Sequence, residues 1–165
     1  MEPRPKIKLQ LSAFDKMMEV AGLLMLLGLW VFALFAYFNL PDIIPTHFNV
    51  SGKVDKYGSK TTVIILAIFC TILFIGLSIL NKFPNIFNYA IKITSVNAAA
   101  QYTLATRMLR ILKLSLTIVF TIVLYFIYST SLGKMKGIAV WFLPFVFCIL
   151  LIPTIYFIVK SFKAK

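Results

Sequence analysis

Four long apolar runs dominate the pattern of hydrophobic and polar positions along this chain. They cover about residues 20–38, 62–80, 111–128 and 137–159. Each approaches the ~20 residues that an α-helix needs to cross a hydrocarbon core about 30 Å thick. None shows the period-two alternation that is typical of a transmembrane barrel strand. The pattern therefore predicts an all-α integral membrane protein: a four-transmembrane-helix bundle in a single domain over residues 1–165.

A polar segment at 40–60 separates the first two runs. It combines two prolines, which fix φ, with Asn- and Gly-containing turns that allow φ > 0. We therefore expect an ordered loop on the extracytoplasmic face, in preference to a flexible linker.

A second polar segment, 81–110, leads into the third run. We expect Thr94 or Ser95 to cap an interfacial helix here, and this helix to continue into the membrane. At 100° per residue, one face of it carries Thr103, Thr106, Arg107, Arg110 and Lys113. This basic stripe is expected to face water or lipid phosphate, either as a topology anchor or as a docking site for a lipid or protein.

The composition is 61% hydrophobic with a net charge of +12, and the positions of the charges give an orientation. Twelve of the 17 Lys and Arg residues lie in the N-terminal flank, in residues 81–113 and in the C-terminal tail. The positive-inside rule then places both termini and segment 81–110 in the cytoplasm. Nucleic-acid binding is not expected, because no binding motif accompanies the charges.

The start of the first helix carries acidic residues. Ser12 is the expected N-cap, and Asp15 and Glu19 follow in the first turns. We expect these carboxylates to pair with basic residues of the cytoplasmic surface, in preference to handling protons.

The groups of segment 40–60 that could do chemistry are Asp42, His47, Asn49, Asp55 and Lys60. One histidine with two aspartates could hold a divalent metal if the turns bring them together. A second histidine, an HExxH motif and a cysteine pair are all missing, so no metal, cofactor or catalytic residue is predicted. A structural cap is the first interpretation, a recognition surface the second, and a catalytic or metal site the third.

Two strings of residues resemble a known family. The first is Pro41-x-x-Ile44-Pro45-x-His47-Phe48-Asn49-x-x-Gly52-x-x-Asp55-x-x-Gly58-Ser59-Lys60, which is similar to the signature of the DUF1648 domain. The second is Asn88-Tyr89-x-Ile91-Lys92-Ile93-Thr94, followed by Asn97, Gln101-Tyr102, Arg107 and Arg110. DUF1648 forms the N-terminal part of SdpI-like bacterial membrane proteins, so the resemblance implies a bacterial cytoplasmic membrane.

The resemblance also implies a function without enzymatic activity. The family includes an immunity protein that protects a bacterium from its own secreted peptide toxin and draws a transcriptional repressor to the membrane. By this resemblance, the 40–60 loop would meet a secreted peptide outside, and the 81–113 region would meet a soluble regulator inside.

Two alternatives stay open beside this reading. One is an interfacial metal- or lipid-handling enzyme that uses His47, Asp55 and Lys60. The other is a small structural subunit of a membrane complex. Small residues in the first run permit helix association, including a homo-oligomer. They are Gly22, Gly28, Ala33 and Ala36.

Overall fold

A computed structural model describes residues 4–164, so residues 1–3 and Lys165 of the predicted domain lie outside the described part. The long elements are α1 Ala13–Asn39, β1 Ile43–Phe48, β2 Val54–Ser59, α2 Thr62–Leu80, α3 Ala98–Ser131 and α4 Phe142–Lys163. Within this range, four helices are long and apolar enough to cross a membrane. The predicted four-helix membrane fold is confirmed, with one two-stranded sheet in its ordered loop.

Local interactions determine both ends of helix α1. Ser12 caps it as predicted, and the Asp15 carboxylate accepts a hydrogen bond from the Ser12 backbone N–H at 3.0 Å. At the other end, Pro41 disfavours helical backbone at Leu40, which is extended with φ −93° and ψ 151°. The chain therefore leaves α1 extended and enters β1.

Helix α3 is the centre of the bundle, since it packs against α1, α2 and α4 and also touches β1. The core between α1, α2 and α3 is built partly from small residues, which let the helices approach closely. Its buried members are Leu29, Ala33, Ala36, Leu40, Ile44, Val63, Ala67, Cys70, Leu124 and Ile127. Ala33 and Ala36 therefore pack against other helices of the same chain, whereas Gly28 is exposed on the surface of the bundle.

The bundle has two ends, which we name by their contents. The hairpin end carries β1, β2 and the α3–α4 loop. The basic end carries the first turns of α1 and α3, the last turns of α2 and α4, and the segment 81–97.

Two predicted helix boundaries differ from the structure. The fourth helix begins at Phe142 instead of near residue 137, because Gly137 forms a bridge with Lys53 of the hairpin. Helix α3 begins after Asn97 instead of after Thr94 or Ser95. Thr94 and Asn97 bond to each other: the Thr94 N–H donates to Asn97 Oδ1 at 2.9 Å, which closes a turn before the helix.

Candidate functional site

The hairpin β1–β2 closes one end of the bundle. Its strands pair antiparallel, with Ile43 opposite Ser59 and an irregular register around His47. Ile44 is fully buried in the helical core, and Phe48 packs partly against it. These two side chains anchor the hairpin to α1, α2 and α3.

The tip of the hairpin is a turn held by Asn49. Its side-chain Oδ1 accepts from the N–H groups of Ser51 at 2.9 Å and Lys53 at 3.1 Å. Gly52 completes the turn with φ +76°, a conformation that L side chains rarely adopt. Asn49 and Gly52 of the first motif therefore have a structural role.

The tip is clamped to the α3–α4 loop by two glycines. The Ile138 N–H donates to Gly52 O at 2.8 Å. A Cβ on Gly52 would lie 2.2 Å from Ile138 O, and a Cβ on Gly137 would lie 2.0 Å from Gly52 O. Only glycine permits this backbone approach. Gly137 is not among the residues singled out from the sequence, where it is only the first residue of the fourth apolar run.

The polar side chains of the hairpin form two separate pairs. His47 Nδ1 lies 2.5 Å from Asp55 Oδ1 across the strands, and both side chains are exposed. Lys60 Nζ instead lies 3.0 Å from Asp42 Oδ1 and 5.4 Å from the centre of the Tyr37 ring. His47 and Asp55 therefore converge, but neither Lys60 nor Asp42 joins them. Within residues 4–164, no three His, Cys, Asp or Glu side chains form a group that could hold a metal.

Three other residues of the first motif shape the backbone. Pro41 ends α1, and Pro45 is buried in β1. Gly58 leaves room for Thr46, because a Cβ there would lie 3.1 Å from Thr46 Cγ2. Most of the motif thus builds the cap, and His47 and Asp55 form an exposed pair on its surface.

A cleft of about 200 Å³ lies between the hairpin tip and the α3–α4 loop. Phe48–Gly52 form one wall, and residues from Ile138 to Leu143 form the other. Val50 and Val140 belong to opposite walls and are 92% and 87% exposed. The cleft therefore presents apolar side chains to the surroundings at the hairpin end.

The second motif lies at the basic end and builds tertiary contacts. The rings of Tyr89 and Tyr102 pack with centroids 5.7 Å apart. The Tyr89 hydroxyl donates to Pro84 O at 2.9 Å, and the Tyr102 hydroxyl donates to Pro5 O at 3.1 Å. Burial, with a smaller effect of neighbouring Tyr102, raises the pKa of the Tyr89 phenol well above its usual range.

Gln101 joins α3 to the end of α4. Its Nε2 donates to Ser161 O at 2.9 Å and Ala164 O at 2.7 Å, and its Oε1 accepts from Ser161 Oγ. Asn97 Nδ2 donates to Lys92 O at 3.1 Å. The members of the second motif whose side chains are exposed are Asn88, Lys92 and Thr94.

The basic stripe of α3 does not face water or lipid phosphate, contrary to the sequence prediction. It faces the acidic first turns of α1, and Thr106, Arg110 and Lys113 are 2%, 5% and 2% exposed. The reason is charge complementarity, since Asp15 and Glu19 lie opposite. The prediction that these carboxylates pair with basic residues is confirmed.

This ionic cluster joins three helices at the basic end. Arg107 Nε donates to Asp15 Oδ1 at 2.8 Å, and Arg110 Nε donates to Glu19 Oε1 at 3.0 Å. Lys113 Nζ lies 2.5 Å from Glu19 Oε2. Three cations thus share two carboxylates in a largely buried layer, where each charge depends on its partners.

Helix α2 supplies the remaining contacts of Lys113. Its ammonium donates to Ser78 Oγ at 2.9 Å and lies 4.4 Å from the centre of the Phe74 ring. Gly22 of α1 leaves room for this arrangement, because a Cβ there would lie 3.2 Å from that ring. Ser78 and Phe74 are not among the residues singled out from the sequence, because they lie in an apolar run without a distinguishing pattern.

Comparison with known proteins gives a family for part of the chain. Residues 24–72 match the family model described as domain of unknown function, DUF1648. An Archaeoglobus fulgidus protein described as uncharacterized is 32% identical over 68 residues, which is 36% of this chain and 37% of that protein's length. No solved structure matches. Residues 24–72, which run from within α1 through the hairpin into α2, therefore match the DUF1648 family model.

Proposed function

We propose that this chain is a non-enzymatic multi-pass protein of a bacterial cytoplasmic membrane that binds a secreted peptide at its hairpin end. This is the role expected of an SdpI-like immunity or toxin-sensing protein. The cleft between the hairpin tip and the α3–α4 loop supports it most directly. Val50 and Val140 beside this cleft are highly exposed and contribute little to the core.

The backbone contact between the hairpin tip and the α3–α4 loop supports recognition, because it fixes the shape of the cleft. The Gly52–Ile138 hydrogen bond and the Asn49 turn hold both walls in one arrangement. A preorganised apolar cleft can take an apolar side chain of a peptide without the entropy cost of ordering a loop.

The distribution of Lys and Arg supports the orientation in this proposal. Among residues 4–164, eleven of the 16 Lys and Arg residues belong to segments at the basic end, and the five others belong to the loops of the hairpin end. With the basic end in the cytoplasm, the hairpin faces the side from which a secreted peptide arrives.

A soluble regulator at the basic end is the second part of the proposal. Such a partner would reach the exposed side chains of the second motif, which include Asn88 and Thr94. Gln101, Tyr102 and Arg110 are buried, so they would shape this surface from beneath.

The test compares two matched substitutions. Val50→Asp places a charge beside the cleft, and Val96→Asp makes the same change at an equally exposed position at the other end. Cells producing each variant are challenged with a panel of purified, secreted bacterial peptide toxins, and survival is measured. We expect protection against at least one peptide by the wild type and by Val96→Asp, and its loss in Val50→Asp.

Binding of the same peptides to the purified protein in lipid nanodiscs separates recognition from expression level. Equal binding by the wild type and Val50→Asp would contradict a role for the cleft. Failure of the wild type to bind or protect against any peptide would contradict the proposed function.

A further inference from the structure

A cavity of about 460 Å³ lies at the basic end, between α3, α4 and the segment after α2. Its walls come from residues 86–90, from 104–109 of α3 and from the last turns of α4. The lining is mostly apolar. Of its polar members, Gln101 and Ser161 bond to each other, the Tyr89 hydroxyl donates to Pro84 O, and Asn88 is exposed. The interior therefore suits a hydrocarbon chain, which needs no hydrogen-bonding partner.

Arg4 lies at the edge of this cavity. Its Nη1 donates to Phe87 O at 2.5 Å, and its guanidinium lies 5.6 Å from the centre of the Tyr89 ring. Phe87 and Tyr89 both line the cavity. Arg4 is exposed, and in the described residues its Nε and Nη2 have no hydrogen-bond partner. The Nε–H and Nη2–H groups of this planar guanidinium are thus both available to donate hydrogen bonds to an oxyanion.

Three other basic residues are exposed and lie close in sequence to residues that line the cavity. They are Lys82, Lys92 and Lys160, close in sequence to the lining residues Leu80, Ala90 and Ser161. The four carboxylates among residues 4–164 all pair elsewhere, two in the ionic cluster and two in the hairpin. In that range, this group of cations therefore lacks a carboxylate partner.

The cavity lies at the ends of the long apolar helices, where the hydrocarbon of a bilayer would meet its headgroups. Helix α3 begins at Ala98 and the cavity uses its early turns, while α4 ends at Lys163 and contributes its last turns. An apolar chamber beside a set of unpaired cations fits one molecule of the bilayer, an anionic lipid.

We propose that this cavity binds an anionic phospholipid, with an acyl chain in the chamber and the phosphate on Arg4. The lipid joins residues 86–90 to the end of α4 across the space that separates them. It is a structural ligand of the basic end, and it is independent of the peptide proposed for the hairpin end.

The first test fills the cavity. Ala105 lines it, so Ala105→Phe occupies the chamber, while Ala100→Phe makes the same change on an exposed face of the same helix. The full chain is incubated in detergent with phosphatidylglycerol or phosphatidylcholine of identical acyl chains, and retained lipid is measured by native mass spectrometry. We expect the wild type and Ala100→Phe to retain phosphatidylglycerol preferentially, and Ala105→Phe to lose this preference.

The second test removes the proposed phosphate ligand. Arg4→Gln and Lys8→Gln lower the net charge equally, but the structure places only Arg4 against the cavity lining. A basic residue near an anionic lipid contributes about 1 kcal/mol. We therefore expect Arg4→Gln to lower phosphatidylglycerol retention roughly fivefold. Lys8→Gln should change it less than twofold.

A third measurement uses the unmodified protein, so its result does not depend on how a variant folds. Phosphatidylglycerol with a photoreactive acyl chain is crosslinked to the wild type, and labelled peptides are identified. We expect labels in residues 80–90, 104–109 and 157–161. Labels spread evenly over all four helices, or equal retention of the two lipids by the wild type, would overturn the proposal.

Discussion

Gly52 and Gly137 touch through their backbones, and neither has room for a side chain. A Cβ on Gly137 would lie 2.0 Å from Gly52 O, and one on Gly52 would lie 2.2 Å from Ile138 O. This contact joins the hairpin tip, within the residues that match the DUF1648 model, to the loop between α3 and α4, which lies outside them.

Replacing Gly52 with alanine should therefore release the hairpin tip. We expect a loss of roughly 2–4 kcal/mol in the stability of the cap, from strain at positive φ together with a backbone clash. Gly133→Ala is the matched control, because Gly133 also has positive φ but nothing lies within 4 Å of the position that a Cβ would occupy there. It should cost only about 1–2 kcal/mol. Hydrogen exchange of residues 43–59 measures the difference, and equal protection in both variants would contradict it.

Removing the cation of Lys113 should destabilise the bundle. Lys113→Met leaves Glu19 with one fewer partner in a largely buried layer, and breaking such a pair costs roughly 3–5 kcal/mol. The exposed Lys134→Met serves as the control for loss of one positive charge. Unfolding by sodium dodecyl sulfate in mixed micelles measures both. Partial recovery in the double variant Lys113→Met, Glu19→Gln would confirm that the unpaired carboxylate causes the loss.

The His47–Asp55 pair should contribute little to stability. Both side chains are substantially exposed, at 64% and 40%, and exposed ion pairs contribute about 0–1 kcal/mol. A double-mutant cycle of His47→Ala and Asp55→Ala should therefore give a coupling energy below about 1 kcal/mol. A coupling above about 2 kcal/mol would show that the pair is a structural requirement of the cap.

Tyr89 should make the basic end sensitive to high pH. Its pKa is raised in the folded state, so the folded chain retains this proton after the unfolded chain has begun to lose it, near pH 10. The contribution of Tyr89 to stability is thus complete below the unfolded pKa and falls as the pH rises above it. Thermal unfolding of the wild type should show this decline between pH 9.5 and 11, as an approximate window set by that pKa. Tyr89→Phe should show less of it, and an identical decline in both proteins would contradict the assignment.

The sequence predicts what depends on local pattern. The bounds of α2, residues 62–80, agree with the structure because a polar segment flanks the run on each side. The N-cap Ser12 and the pairing of Asp15 and Glu19 also follow from spacing and charge.

The features that the sequence does not predict are tertiary contacts, which depend on the helix face or strand that packs against each residue. A helical period places Arg110 and Lys113 on one face, but it does not say whether that face meets lipid or a neighbouring helix. The meeting of His47 and Asp55 depends on a strand register that is irregular at that position. The apolar residues after Gly137 resemble the start of a helix, and only the contact with Gly52 shows why the helix starts later.

The ionic cluster also constrains the order in which this protein can be assembled. Asp15 and Glu19 leave the ribosome long before Arg107, Arg110 and Lys113, which neutralise them. Until the third helix emerges, the first must keep its carboxylates in water or among headgroups, because burying unpaired charge in the bilayer is costly. We therefore expect α1 to reach its final depth only after α3 arrives, so that the last step in the membrane integration of the first helix depends on the third.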